Sequence, residues 1–298
     1  MTLRLGFSPF PYYITPDGLR PDLAPPLDEI LRQIAAAGYA GVPAEVPAGT
    51  SPEDYAAMLA MHGLAPAPGY FQADFAEADI APVVEAARGI ARQHRALGLD
   101  RIFVAQQFPD PVRIAAPTMG VGADPARLDQ IVAGLSAVAD AMHCEGVLAC
   151  LHQHVGTAIE TDDEACFVLD AIASDRLLFG PDIGHLSWAG ADPVAMLTRY
   201  RDRIGVVHLK DIRRAVADRG RAEGWGYRQT TWGGLWTVPG SGDIDCEAVL
   251  AVLRGLDIWA IAEIDIAGDD GPEVAAHRAF EWLSARVAVE PATTIGAP

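Results

Sequence analysis

Basic residues are scarce in this chain. Lys and Arg number 22 against 40 Asp and Glu, giving a net charge of −18 over 298 residues. A surface this acidic repels phosphate backbones and anionic lipid headgroups, which argues against nucleic acid and against membranes as partners. Cysteine is scarce as well. Cys144, Cys150, Cys166 and Cys246 form no CxxC pair. That argues against a disulfide framework and a zinc–thiolate site, and predicts reduced, mostly buried thiols. No stretch reaches the roughly 18–20 uninterrupted apolar residues of a membrane span. The opening "MTLRLGFSPFPYY" lacks the apolar run and small-residue cleavage site of a signal peptide. Together these absences predict a soluble cytoplasmic protein. A glycine-rich phosphate loop after the first hydrophobic run is missing too; "GFSPFPYY" stands there instead. This counts against an open doubly wound sheet and favours an unphosphorylated substrate.

What the chain does have is alternation. Half of its residues are hydrophobic, and short apolar runs alternate with longer amphipathic ones from end to end. The runs predict strands at Leu3–Ser8, Gly41–Val46, Ala65–Tyr70, Arg101–Gln106, Val147–His152, Leu177–Asp182, Gly205–Lys210 and Trp259–Asp265. Between them lie helical patterns such as "LDEILRQIAAAG" and "PARLDQIVAGLSAVADAMHCEG". Several close on Gly, and others open with Asp, Ser or Thr beside Pro, as in "TSPEDY" and "ADPVAM". Eight strand–helix units in under 300 residues predict an α/β fold, a single-domain (β/α)8 TIM barrel over residues 1–286, with 287–298 as a flexible tail. One long irregular connection, Ile212 to Asp243, carries Trp225, Tyr227, Trp232 and Trp236. Its rings either pack the loop onto the barrel or stack on a substrate.

Barrel active sites lie where strands end. The fifth strand ends in "LHQHVGTAIE", presenting His152, His154 and, beyond a turn, Glu160. The sixth ends in "GPDIGH", presenting Asp182 and His185; the seventh in "VVHLKD", presenting His208, Lys210 and Asp211; the eighth in "AIAEID", presenting Glu263 and Asp265. Glu45 closes the second. Period-two alternation puts His152 with His154, His208 with Lys210, and Glu263 with Asp265 on shared faces. Unpaired charge is costly at a barrel mouth, and a divalent cation removes that cost. Mixed imidazole and carboxylate donors suit Mn²⁺, Mg²⁺, Co²⁺, Zn²⁺ or Fe²⁺.

With these residues in view, the chain resembles the xylose-isomerase-like barrel superfamily of sugar phosphate isomerases and epimerases. The string "HQHVGTAIET … GPDIGHLSWAGADPVAMLTRYRDRIGVVHLKDI … PGSGDID … AIAEID" is similar to the branch containing inosose (2-keto-myo-inositol) dehydratases. The likeness is strongest over Val147–Glu263, and the first 140 residues match in general layout only. The resemblance implies a divalent metal, Mn²⁺ first among the choices, held by Asp182, His208 and Glu263. The strand-five ligand is either His152 or Glu160. The usual balance of three carboxylates and one His favours Glu160, leaving His152 and His154 for proton transfer. His185 is expected to touch substrate or orient a ligand. Lys210 is expected to stabilise an enolate or protonate a leaving hydroxyl, with an ion pair to Asp182 or Asp211 as the plainer alternative. Glu45, Trp225 and Trp232 are expected to bind substrate.

The activity implied is proton abstraction α to a carbonyl of a keto-sugar or keto-cyclitol through a metal-stabilised enediolate. Expulsion of a β-hydroxyl would make a dehydratase, the favoured outcome. Reprotonation would make an isomerase or epimerase, and loss of an aglycone a lyase acting on 3-keto-glycosides. A non-catalytic sugar-binding barrel is the weaker reading, and an apurinic endonuclease is disfavoured by the acidic charge. The partner is a small molecule, and association into a homo-oligomer is left open.

Overall fold

The computed structural model describes residues 3–268 and 270–288. Of the expected tail, residues 289–298 lie outside the described residues. Eight parallel strands form the ring: β1 (Arg4–Phe7), β2 (Gly41–Pro43), β3 (Ala65–Ala67 and Tyr70–Ala73), β4 (Arg101–Gln106), β5 (Leu148–Leu151), β6 (Leu177–Phe179), β7 (Val206–Leu209) and β8 (Trp259–Ala262). All eight fall inside the expected runs or extend them. Pairing runs β7–β8–β1–β2 to the first half of β3, and from its second half through β4 and β5 to β6. Parallel bridges Phe179–Ile204 and Asp182–His208 join β6 to β7. β3 is interrupted because Pro68 has no N–H to give a ladder. There Ala44 N–H donates to Ala67 O, and Phe103 N–H donates to Gly69 O, so the ring continues across the break.

Inside the ring, Ala67, Phe103, Cys150, Val206, Trp259 and Ile261 pack as one cluster. Glycines make room for the large members. A Cβ on Gly41 would sit 2.7 Å from the Trp259 ring, and one on Gly180 2.8 Å from Phe103. Strand alternation places His152, Asp182, His208 and Glu263 two residues beyond Cys150, Gly180, Val206 and Ile261, directly above this floor.

Helices pack outside. In Leu27–Ala37, Ile30, Leu31, Ile34 and Ala37 are buried at helical spacing, and Gly38 ends the helix in a left-handed conformation (φ 107°). The helix Asp162–Ala171 starts on a reciprocal cap between Thr161 and Glu164. Among the described residues no helix is long and apolar enough to cross a membrane. All four cysteines are free. Cys150 and Cys246 are buried, as expected, but Cys166 is half-buried and Cys144 is exposed at the end of its helix.

The connection expected to be irregular is largely helical. Arg214–Glu223 forms an α-helix ended by Gly224 (φ 69°), a turn of helix follows at Tyr227–Thr230, and Trp236–Thr237 pairs antiparallel with Asp211–Ile212. The Ala- and Arg-rich "RAVADRGRAE" has good helix propensity, which the many later glycines obscured. Asp211 anchors the return of the chain. Its buried carboxylate accepts from the backbone N–H groups of Ile212, Gly240, Gly242 and Ile244 at 2.8–3.1 Å.

One buried histidine makes stability depend on pH. His94 Nε2 accepts from Gly69 N–H at the β3 break, and Nδ1 donates to Ile90 O, both at 3.0 Å. Burial lowers its pKa from 6.5 to about 4. The unfolded chain therefore takes up a proton below pH 6.5 that the fold refuses until about pH 4. The stabilisation is complete above pH 6.5 and lost as pH falls toward 4, a change of about 3 kcal/mol. Urea unfolding at pH 7.5, 6 and 5 should show this loss, and His94→Gln should reduce its slope. An unchanged slope in the variant would exclude the assignment.

Candidate active site

The mouth of the barrel opens into a cavity of about 740 Å³. Its polar end is built by strand termini. Asp182 follows β6 and caps the helix Ile183–Trp188, its Oδ1 accepting from His185 N–H at 2.9 Å. That leaves Oδ2 turned toward the neighbouring strand end. His208 on β7 brings Nδ1 to 3.1 Å from Glu263 Oε2 and 3.6 Å from Asp182 Oδ2. His152, just past β5, completes the group: one ligand atom each from His152, Asp182 and His208 lie within 4.8 Å of one another. His152 Nδ1 is buried without a hydrogen-bond partner, whereas Asp182 Oδ2 lies 3.1 Å from Lys210 Nζ and His208 Nδ1 3.1 Å from Glu263 Oε2. Two imidazoles and a carboxylate buried this close together, one of them with an unpaired ring nitrogen, are a donor set that suits a divalent cation. Glu263 adjoins the group, with its Oε2 against His208 Nδ1.

The charged groups of the site pair among themselves. Burial lowers the His208 pKa, but Glu263 and Asp182 outweigh it and hold the imidazole at about 9. Burial raises the Asp182 carboxyl, yet Lys210 and His208 bring it down to about 2. His152 is pushed well below its usual range, by burial first and then by His208.

Glu160 is not part of this group, which corrects the favoured choice of fourth ligand. Its carboxylate is fully buried in its own loop, accepting from Gly156 N–H at 2.9 Å and lying 3.4 Å from Arg113 Nη1. Arg113 also pairs with Glu164 at 2.5 Å, and Glu164 accepts from the backbone N–H groups of Glu160 and Thr161. The turn at Gly156 (φ 92°) folds Glu160 back on the loop instead of over the barrel axis. Glu160→Gln should therefore leave divalent-ion stoichiometry unchanged while lowering stability, because Arg113 loses one of its two buried partners. Loss of ion binding, measured by elemental analysis, would return Glu160 to the ligand set.

His154 lines the cavity. Its Nδ1 lies 2.7 Å from Val155 O, so that nitrogen carries the proton and Nε2 keeps its lone pair. Burial, then the Lys210 charge, lowers its pKa to about 4, which keeps the ring neutral. His185 does not line the cavity. It lies behind His154, ring centroids 3.8 Å apart, with Nε2 3.3 Å from Lys210 Nζ. Its ring thus does not reach the cavity, while its backbone N–H holds Asp182 Oδ1.

Lys210 is buried beneath the wall. Its ammonium lies 3.1 Å from Asp182, 2.8 Å from Glu263 and 2.7 Å from Asp265, under the Trp236 ring. Burial lowers its pKa, but the three carboxylates raise it well above the usual value. An ammonium held this way is a poor proton donor, and it does not face the cavity. The plain ion-pair alternative, with Asp182, is the one the structure contains; Asp211 is turned to the loop. Gly184 is the space it needs, since a Cβ there would meet the lysine stem at 2.7 Å.

Glu45 and Trp232 line the cavity as expected. Glu45 keeps exposed surface at the cavity but is crowded by protein, and burial and then Glu263 raise its pKa. Trp225 does not line it. Its ring packs on Arg219 and against Gly233, holding the long connection together. Asp265, placed on the Glu263 face by the sequence but given no role there, lines the cavity wall. Burial raises its carboxyl to about 6 despite Lys210. Sequence reasoning missed Tyr70 and Tyr227; each packs against a site histidine.

A parallel eight-stranded barrel with an imidazole–carboxylate cluster at its mouth is an α/β barrel whose polar site lies at the strand ends. The comparisons specify the family: the xylose isomerase-like TIM barrel matches residues 31–286, and the chain belongs to it. An inosose dehydratase of Geobacillus kaustophilus is 35% identical over 139 residues, 46% of this chain and 45% of that protein. The chain thus matches less than half the length of that relative. The rhizopine catabolism protein MocC of Rhizobium meliloti is 28% identical over 279 residues, 89% of this chain and 82% of that one. Among solved structures, the IOLI protein with a bound zinc atom superposes with a TM-score of 0.66 at 15% identity, covering 95% of this chain and 96% of that one.

Proposed function

We propose that this protein is a divalent-metal-dependent dehydratase that acts on a keto-cyclitol or keto-sugar by abstracting a proton next to the carbonyl. The observation that carries the reading is the buried His152–Asp182–His208 cluster, with ligand atoms within 4.8 Å of one another, beside a neutral histidine whose Nε2 is free. His152, Asp182, His208 and Glu263 would hold the ion, which supplies Lewis acidity to a substrate oxygen when bound. Two imidazoles and two carboxylates suit Mn²⁺, Fe²⁺, Co²⁺ or Zn²⁺ better than Mg²⁺, and Mn²⁺ remains our assignment.

His154 takes the α-proton on Nε2, its ring held by Val155 O and stacked near Tyr227. Lys210 offsets the negative charge of Asp182, Glu263 and Asp265 and fixes their oxygens. Loss of a β-hydroxyl as water requires a proton on the departing oxygen. Asp265, a partly protonated carboxyl on the cavity wall, delivers it. Relatives named as inosose dehydratases support elimination over isomerisation. The test is deuterium incorporation and dehydration of 2-keto-myo-inositol by protein purified without chelator and supplied with Mn²⁺. Neither exchange nor product with this or any ketohexose would refute the proposal.

A further inference from the structure

The cavity is larger, and its outer part more apolar, than a bare sugar or cyclitol ring requires. At no more than about 30 Å³ per heavy atom, the share of a water molecule in the liquid, a ring of about twelve heavy atoms fills at most about 360 Å³. The cavity measures about 740 Å³, in the range of sites that enclose drug-sized ligands. Its two ends differ in chemistry. His152, His154, His208, Glu263 and Asp265 line the barrel end, whereas Phe10, Ile14, Leu19, Phe108 and Trp232 come from the loops above it. A two-stranded hairpin, Ile14–Thr15 against Gly18–Leu19, carries Leu19 over the mouth.

These loop side chains are left exposed: Phe10 37%, Leu19 57% and Trp232 37%. Phe10 and Trp232 enter no aromatic pair among the described residues, unlike the rings packed around the histidines. Large apolar side chains gathered on a cavity rim mark a surface that is covered when a ligand binds. Two unpartnered rings favour a flat aromatic group, which they can meet by stacking or edge contact.

We infer that the outer cavity is a subsite for an aryl substituent, so that the ligand is a keto-polyol ring conjugated to an aromatic group. The inference rests on the reading of the barrel end as a keto-polyol site. Metal-supplied protein is titrated with phenyl β-D-glucoside, methyl β-D-glucoside and myo-inositol, with tryptophan fluorescence and calorimetry as readouts. The phenyl conjugate should bind about tenfold or more tighter than the methyl one. Trp232→Ala should bring that ratio near one, and Leu19→Ser should reduce it. Equal affinity of the phenyl and methyl conjugates, or a ratio unmoved in both variants, would overturn the aryl subsite whatever the exchange assay shows. Absence of α-proton exchange with every keto ring, together with a preserved phenyl preference, would instead overturn the proposed chemistry and leave the subsite standing.

Discussion

His154→Ala should slow α-proton exchange by about 10²–10⁴-fold, the usual worth of a positioned general base, while leaving the bound-ion content intact. Three features lead to this expectation. The His154 ring lines the cavity, its Nδ1 proton is committed to Val155 O, and burial keeps the imidazole neutral with its pKa at about 4. The Nε2 lone pair is therefore available above about pH 4. His154 is not among the clustered ligand atoms, which come from His152, Asp182 and His208, so its removal should not release the ion. The measurements are loss of the α-proton signal in deuterated buffer and elemental analysis of the same sample. Added imidazole should restore part of the rate, because the deleted ring leaves a space open to the cavity. Exchange at the parental rate would remove His154 from this role.

Asp182→Ala should have the largest structural consequence. One carboxylate does two jobs: Oδ1 caps the helix Ile183–Trp188, and Oδ2 faces the ligand cluster and the Lys210 ammonium. Alanine removes the cap, worth about 1 kcal/mol. It also breaks a fully buried ion pair, a loss of about 3–5 kcal/mol. The ion should be lost on dialysis. Asp182→Asn separates the effects, since its carbonyl oxygen still accepts from His185 N–H. That variant should fold nearer to parental stability yet fail to retain the ion. Denaturant melts and ion stoichiometry on both variants check this. Stoichiometric ion in the Asn variant would place the cation elsewhere.

The eight strands were legible because buried parallel strands read as short apolar runs, and the helices between them carry their own caps. Period-two alternation also identified which strand-end residues share a face, and in the structure His208 lies 3.6 Å from Asp182 and 3.1 Å from Glu263. The fifth strand was harder. His152 and Glu160 both follow it, and charge balance pointed to Glu160. Nothing local reveals that Arg113, from a segment after β4, captures Glu160 and Glu164 together. The same holds for Trp225 and Trp232, seven residues apart on one connection. The intervening helical turn sends one ring to the cavity and the other to Arg219.

By itself, then, the sequence determined the barrel, the face on which each strand-end side chain stands, and the acidic surface, because these depend on local periodicity and composition. Tertiary structure alone decided which polar groups find partners. A buried carboxylate or ammonium goes to the strongest opposite charge within reach, and that charge here comes from distant segments. This is why Glu160 belongs to Arg113, why Lys210 lies under the wall among three carboxylates, and why His152, left without a partner, faces the site.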